Sequence, residues 1–132
     1  WNVPEEYQQY LNFVRGNSVI MGRKSYEIFG NDLQDTRNFV ISRNSNFSGA
    51  LAYTSLEEAI QKASQIKGPI FIAGGSSIYD TAIHLADIMY LSFIRGEFQG
   101  NRYFPQIDPQ QWKVVEEIQH EKFIFRRFNR RD

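Results

Sequence analysis

Glu6 is the residue of this chain whose type and setting most invite a chemical role. It falls in the first turn of a segment, starting at Glu5, whose apolar positions Tyr7, Tyr10, Leu11 and Val14 recur at helical spacing. On such a helix Glu6 shares a side with Tyr10 and Phe13, four and seven residues on. A carboxylate placed at the edge of an aromatic face is unusual. The plainer reading is a solvated first-turn glutamate favoured by the helix dipole.

Two further stretches carry phosphate-binding chemistry. Ile70-Phe71-Ile72-Ala73 reads as a strand buried on both faces, and Gly74-Gly75 breaks it. Ser76 or Ser77 can then cap a helix carrying Ile78, Ala82, Ile83 and Leu85. A strand ending in glycines at a helix start offers bare N–H groups and close approach to an anion, although tight turns need glycine without any ligand. The pattern recurs where Ser18-Val19-Ile20-Met21 meets Gly22-Arg23-Lys24-Ser25, now with two cations and a hydroxyl. Those groups suit a phosphate monoester, and equally a basic surface turn.

The elements that must position these groups alternate along the chain. Tyr26, Ile28 and Phe29 suggest a helical turn closed by Gly30, and Asn38 to Ser42 the next strand. Leu51-Ala52-Tyr53 is a brief strand. Thr54 and Ser55, with Glu57 and Glu58 three residues on, offer overlapping capping boxes for a helix ended by Lys67-Gly68-Pro69, with Leu56, Ala59, Ile60, Ala63 and Ile66 on one face. Asp87 to Ile94 is another apolar strand. Alternation of this kind predicts an α/β fold with a mixed, mostly parallel central sheet flanked by helices. Lys113 to Gln119 and Lys122 to Phe128 read as a C-terminal antiparallel hairpin at one edge. Arg126, Arg127, Arg130 and Arg131 beside it read as a solvated basic edge.

The 132 residues suffice for one domain and not two, and 42% hydrophobic residues can build a core. Fifteen basic groups balance fifteen acidic ones, so nothing global points to nucleic acid or a membrane surface. Without cysteine there is no disulfide framework or thiolate metal site, and neither His84 nor His120 has a partner at metal-ligand spacing. A soluble, cytoplasmic and monomeric protein is the simplest expectation.

Taken together, several stretches resemble the dihydrofolate reductase family: Trp1-Asn2-Val3-Pro4-Glu5-Glu6, Val19 to Glu27, Phe71 to Tyr79, Ala86 to Ser92, Tyr103-Phe104-Pro105 and Trp112. The spacing between them fits without gaps from Trp1 to Trp112. The resemblance implies hydride transfer from NADPH to dihydrofolate, giving tetrahydrofolate, in a small-molecule site. It makes Glu6 the catalytic carboxylate that binds and orients the pterin and favours protonation at N5 through water. It puts Trp1 near that water, Ser92 beside Glu6, and Tyr7, Tyr10, Phe29 and Ala73 along the substrate. It brings Gly22, Arg23, Lys24 and Ser25, with Ser42 and Arg43, to the adenosine 2′-phosphate. Gly74, Gly75, Ser76, Ser77 and Ile78 would wrap the pyrophosphate, with Tyr79 on the nicotinamide side.

Three departures stand beside the match. The family's opening strand and nicotinamide loop would precede Trp1, and that strand's absence would leave two neighbours unpaired. The family's arginine for the glutamate tail of folate falls at Thr36, with Arg37 one residue later, so either Arg37 binds the tail or the substrate lacks one. The last hairpin is trimmed. Beside the reductase of dihydrofolate stand a reductase of another pterin or of a ribosylamino-pyrimidine, and a relative that binds NADPH without turnover.

Overall fold

The computed structural model describes residues 3–43, 50–94 and 107–131. Helix α1 (Pro4–Val14) opens the fold, with Pro4 in the first turn, where a missing N–H costs nothing. Glu5 and Glu6 lie at its positive end, and Gly16 at φ +77° leads the chain out of it. Then come β1 (Ser18–Gly22), α2 (Arg23–Phe29), a 3-10 turn (Gly30–Asp32), β2 (Arg37–Ile41) and β3 (Ala50–Tyr53). They are followed by α3 (Leu56–Ala63), β4 (Ile70–Ile72), α4 (Ser76–Ala82), β5 (Ile88–Ile94), β6 (Trp112–Gln119) and β7 (Phe123–Arg130).

Of the two overlapping capping boxes, the one at Ser55 forms. Its Oγ accepts the Glu58 N–H at 3.1 Å, and the Glu58 carboxylate accepts the Thr54 N–H at 3.3 Å. The helix stops at Ala63, short of the predicted Lys67-Gly68-Pro69. Ser64 turns its hydroxyl onto the Gln61 carbonyl at 2.8 Å, a local bond that competes with further helix. Ile66, expected on the core face, is therefore left 36% exposed.

The strands form two sheets: a parallel one in the order β3-β2-β1-β4, and an antiparallel one in the order β5-β7-β6. The parallel sheet and the C-terminal hairpin are as expected from the sequence. Strand β5, however, leaves the parallel series and pairs antiparallel with β7 from Ile88↔Asn129 to Ile94↔Phe123. A run of apolar residues marks a buried strand without marking its neighbour.

Two helices span the sheets from opposite faces. Tyr10, Leu11 and Val14 of α1 pack on Val19, Met21 and Phe71, while Phe13 packs with Phe123 and Phe125. On the other face Ile78 and Ala82 of α4 join Ile20, Phe39 and the α3 residues Leu56, Ala59 and Ala63. Ile83 and Ala86, just after α4, reach Met89, Trp112 and Phe128. Strands β4 and β5 are the facing sheet ends, bridged by the Phe71 and Tyr90 rings at 5.9 Å. Among the described residues no strand pairs with either of these two edges.

Three of the four C-terminal arginines form the solvated edge expected: Arg126 and Arg127 keep 35% and 39% of their side-chain surface in water, and Arg131 is exposed. Each of them nevertheless has a partner, and Arg130 departs from the expectation. Arg126 Nε donates to Glu117 at 2.7 Å and its guanidinium lies 4.9 Å over the Phe93 ring. Arg127 faces Glu116 at 3.7 Å, and Arg131 donates to the Pro109 carbonyl at 3.0 Å. Arg130 donates to the carbonyls of Ala86 at 3.0 Å and Ile83 at 2.6 Å, and sits 4.4 Å over Trp112. Those carbonyls follow α4, whose last peptide groups need donors, and the planar fork supplies two.

Candidate active site

The residues singled out from the sequence gather around α1 and the carboxyl ends of the parallel strands. Helix α1 carries Glu6, Tyr7 and Tyr10, all half-buried. Tyr7 stacks on Tyr10 with ring centroids 6.0 Å apart and meets Phe29 of α2 at 5.9 Å, so the two helices share an aromatic wall. From α4 comes Tyr79. Burial, and then the negative charge of Glu6, push its hydroxyl up to about 12. Burial raises Tyr10 as well, with Tyr79 and Tyr7 adding to it. Glu6 is therefore near enough to Tyr79, on a different helix, for its charge to be felt there.

Ser92 of β5 lies against the same side of α1. Its Oγ accepts a hydrogen bond from Gln9 Nε2 at 3.3 Å, and Gln9 is one helical turn beyond Glu6. Ala73 lies just past β4, in the cluster under Tyr10 and Leu11, with its N–H on the Ile20 carbonyl at 2.9 Å.

Arg37 does not join this group. It is the first residue of β2, in register with Ser18, and Ser18, Ile20, Arg37 and Phe39 share one face of the parallel sheet. That face packs on α3, whereas α1 covers the other through Val19 and Met21. Arg37 Nε accordingly points to Ser18 Oγ at 3.4 Å. Thr36, in the loop before the strand, spends its hydroxyl on the Leu33 carbonyl at 2.8 Å. The one-residue offset matters because alternate strand residues face opposite sides.

The glycine turns lie side by side. The Gly22 N–H donates to the Gly74 carbonyl at 2.8 Å, joining the end of β1 to the turn after β4. Gly74 needs to be glycine for the fold itself: its φ is +107°, and a Cβ would meet the Tyr79 ring at 3.2–3.3 Å. Gly75 and Gly22 are different. Gly75 has φ −82° and Gly22 φ −74°, ordinary for any residue. A Cβ would find only van der Waals contacts, the nearest being Ser25 Oγ at 3.7 Å for Gly75 and Ile78 Cγ1 at 3.7 Å for Gly22. The protein itself has room for side chains there, so the space is open to a ligand's close approach.

Gly22 is in register with Ile41, so Arg23-Lys24-Ser25 and Ser42-Arg43 leave neighbouring parallel strands at the same edge. The turn Gly74-Gly75, into Ser77, Ile78 and Tyr79, leaves β4 at that edge as well. Ligands of open α/β sheets sit outside the carboxyl ends of the strands, where these turns meet. Arg23 is loosely paired with Glu27 at 3.4 Å, and Lys24 and Arg43 are exposed. Trp1 and the side chain of Ser76 lie outside the described residues, as do Tyr103, Phe104 and Pro105.

Two site neighbours escaped the sequence reading. Asp32 accepts the Tyr7 hydroxyl at 2.6 Å across 25 residues, and Gln9 reaches Ser92 across 83. Only the spacing of Gln9 from Glu6 was there to be read. Among the described residues no cluster of His, Asp and Glu is arranged to hold a metal, and no helix is long and apolar enough to cross a membrane.

Comparison with known proteins agrees with this geometry. The family model described as dihydrofolate reductase matches residues 1–129. The dihydrofolate reductase of Bacillus subtilis (strain 168) is 33% identical over 126 residues, 92% of this chain and 73% of that protein. That of Staphylococcus aureus is 28% identical over 119 residues, covering 90% and 74%. Among solved structures, dihydrofolate reductase from Enterococcus faecalis complexed with NADP(H) and RAB-propyl superposes with a TM-score of 0.85 at 26% identity. The match covers 100% of this chain and 84% of that one. A parallel sheet with glycine turns at its carboxyl edge, a carboxylate on the first helix and these relatives lead to one conclusion: the chain belongs to the dihydrofolate reductase family.

Proposed function

We propose that this chain reduces 7,8-dihydrofolate to 5,6,7,8-tetrahydrofolate with NADPH. The observation that carries the reading is Glu6, a half-buried carboxylate on the helix that covers the parallel sheet, with the two glycine turns side by side at that sheet's carboxyl edge. Gly22 and Gly75 fit the cofactor, since each has an extended backbone and space where a Cβ would otherwise stand. Gly74, Gly75, Ser76, Ser77 and Ile78 hold the pyrophosphate in this reading, and Tyr79 lies on the nicotinamide side. Arg23, Lys24, Ser25, Ser42 and Arg43 meet the adenosine 2′-phosphate, and their cations are the reason to expect NADPH over NADH. NADPH, when bound, supplies the hydride.

The chain's own residues supply position and charge. Glu6 accepts hydrogen bonds from the pterin ring nitrogen and exocyclic amine at once, which a neutral amide cannot do. Its charge favours the N5-protonated, cationic pterin, with the proton delivered through water beside Trp1. Tyr7, Tyr10, Phe29 and Ala73 line the substrate, and Ser92, through its contact with Gln9, steadies the side of α1 that bears Glu6. The reading goes with a monomer in the cytoplasm, without nucleic-acid or membrane partners, which the balanced charge supports. The test is NADPH oxidation by the full chain with dihydrofolate beside Glu6→Gln. A fall in kcat/KM of about 100- to 10,000-fold is expected. Equal turnover by both proteins would refute the role of Glu6.

A further inference from the structure

We infer that Gln9 is a positioning residue for Glu6. By donating to Ser92 it turns the Ser92 hydroxyl proton toward the carboxylate, which is thereby held in one orientation for the pterin. The inference rests on the reading that a pterin is reduced beside Glu6, and it adds a residue that touches no reacting atom. Gln9 and its neighbour Gln8 spend their amides differently. Gln8 Nε2 donates to Asn12 Oδ1 at 3.0 Å, one turn along the exposed side of α1. Gln9 Nε2 instead leaves the helix and donates to Ser92 Oγ of β5 at 3.3 Å, across 83 residues, and both partners are half-buried. Gln9 also borders a hollow lined by Glu5, Gln8 and Asn12, so little packing rests on its side chain.

Strand β5 lies antiparallel along α1. Tyr90 meets Phe13 with ring centroids 4.7 Å apart, and two residues later Ser92 meets Gln9, four residues earlier on the helix. Two strand residues advance about 6.7 Å and four helical residues about 6 Å, so the two elements stay in step. Glu6 stands three residues before Gln9, about 4.5 Å further in the direction in which β5 runs, and on the same side of α1. A serine hydroxyl has a single proton. Its oxygen accepts from Gln9, so the proton must be donated elsewhere. On that side of α1 the Glu6 carboxylate is the strongest acceptor. An ionised carboxylate has about four acceptor positions, of which the pterin ring nitrogen and amine take two. A hydroxyl on a third fixes the plane of the carboxylate without competing with the ligand. Gln9 thus acts on the pterin only through Ser92 and Glu6.

The experiment is a double-mutant cycle on the full chain, read by steady-state kinetics with NADPH and by calorimetric titration of dihydrofolate onto the NADP+-loaded protein. Ser92→Ala should weaken dihydrofolate binding about tenfold, the loss of one hydrogen bond to a charged group. Gln9→Met, of similar length but without an amide, should weaken it about fivefold. The loss should appear in KM and Kd together, with kcat within about twofold, because the pterin is held alike before and during the chemistry. Gln9→Glu keeps the shape but can only accept; it draws the hydroxyl proton to itself and should cost more than Gln9→Met. With Ser92→Ala in place, Gln9→Met should add nothing, and with Ser92→Thr in place it should again cost about fivefold. NADPH affinity and melting temperature should not follow these changes. Full multiplication of the two losses in the double variant, or a Gln9→Met protein that binds and reduces dihydrofolate as the parent does, overturns the inference and leaves the reductase reading standing. Coupling in dihydrofolate binding by a parent that reduces nothing upholds the positioning role and removes the reductase reading. A parent that neither binds nor reduces dihydrofolate removes both.

Discussion

Alanine at Gly74 and alanine at Gly75 should do opposite things, although the two residues are adjacent. Gly74 has φ +107°, where an L-residue pays about 1–2 kcal/mol in Cβ–backbone repulsion. Its Cβ would also lie 3.2–3.3 Å from the Tyr79 ring and hydroxyl, close enough that the ring must retreat by a few tenths of an ångström. That ring is half-buried, so the crowding adds about 1 kcal/mol. The sum is about 2–3 kcal/mol. For 132 residues the entropy of unfolding is roughly 0.28 kcal/mol/K, so the melting temperature should fall by about 7–11 °C. Gly75, at φ −82°, would take a Cβ whose nearest contact is Ser25 Oγ at 3.7 Å, and its melting temperature should stay within about 2 °C of the parent. Its loss should appear in NADPH affinity, about tenfold or more, because the added methyl fills space assigned to the pyrophosphate. Thermal melts and NADPH titrations of both variants read the two effects separately. A Gly75→Ala protein that binds NADPH as the parent does would refute the ligand explanation for that glycine, and an unshifted Gly74→Ala melt would refute the steric one.

Three further outcomes follow from particular contacts. Tyr79 titrates near 12 in the folded chain and near 10 when unfolded, so between those values the unfolded state holds fewer protons and stability falls as pH rises. Urea midpoints from pH 9 to 12 should show that decline, and Tyr79→Phe should flatten it, with Tyr7 and Tyr10 accounting for what remains. Arg130→Lys should cost about 1.5–3 kcal/mol in chemical denaturation, since an ammonium cannot serve the Ile83 and Ala86 carbonyls together while lying flat on Trp112. An unchanged midpoint would mean that the arginine is merely solvated. Ser55→Ala removes the acceptor for the Glu58 N–H and should lower stability by about 1 kcal/mol, whereas Thr54→Ala, outside the cap, should cost less than half as much.

The parts of this protein that are local were legible in its residues. Helical spacing from Tyr7 to Val14 meant a helix, and α1 forms over Pro4–Val14. The apolar runs at Ser18–Gly22 and from Asn38 to Ser42 meant strands, the second of which forms over Arg37–Ile41; the Ser55 box meant a helix start, and the glycine pair a turn at a strand end. Each of these is decided within a few residues, by side-chain periodicity, by a missing Cβ or by a hydroxyl in reach of a backbone N–H. What depends on partners far along the chain had to come from the tertiary structure. The residues of β5 read the same whether they join β4 or β7, because an apolar run does not name its neighbour, and Ile88, Tyr90 and Phe93 in fact stay exposed. Arg130 looked like a surface charge until the end of α4 came within reach of its guanidinium. Arg37 looked able to stand in for the tail-binding arginine until the register against Ser18 showed which face it takes. Tyr7 and Asp32, 25 residues apart, became a pair only when α1 settled beside the 3-10 turn. The chain's residues alone thus determined most of the elements, while packing decided which element each side chain meets. Helix and strand periods are properties of neighbouring residues, but a contact between distant ones exists only once the whole core has closed around it.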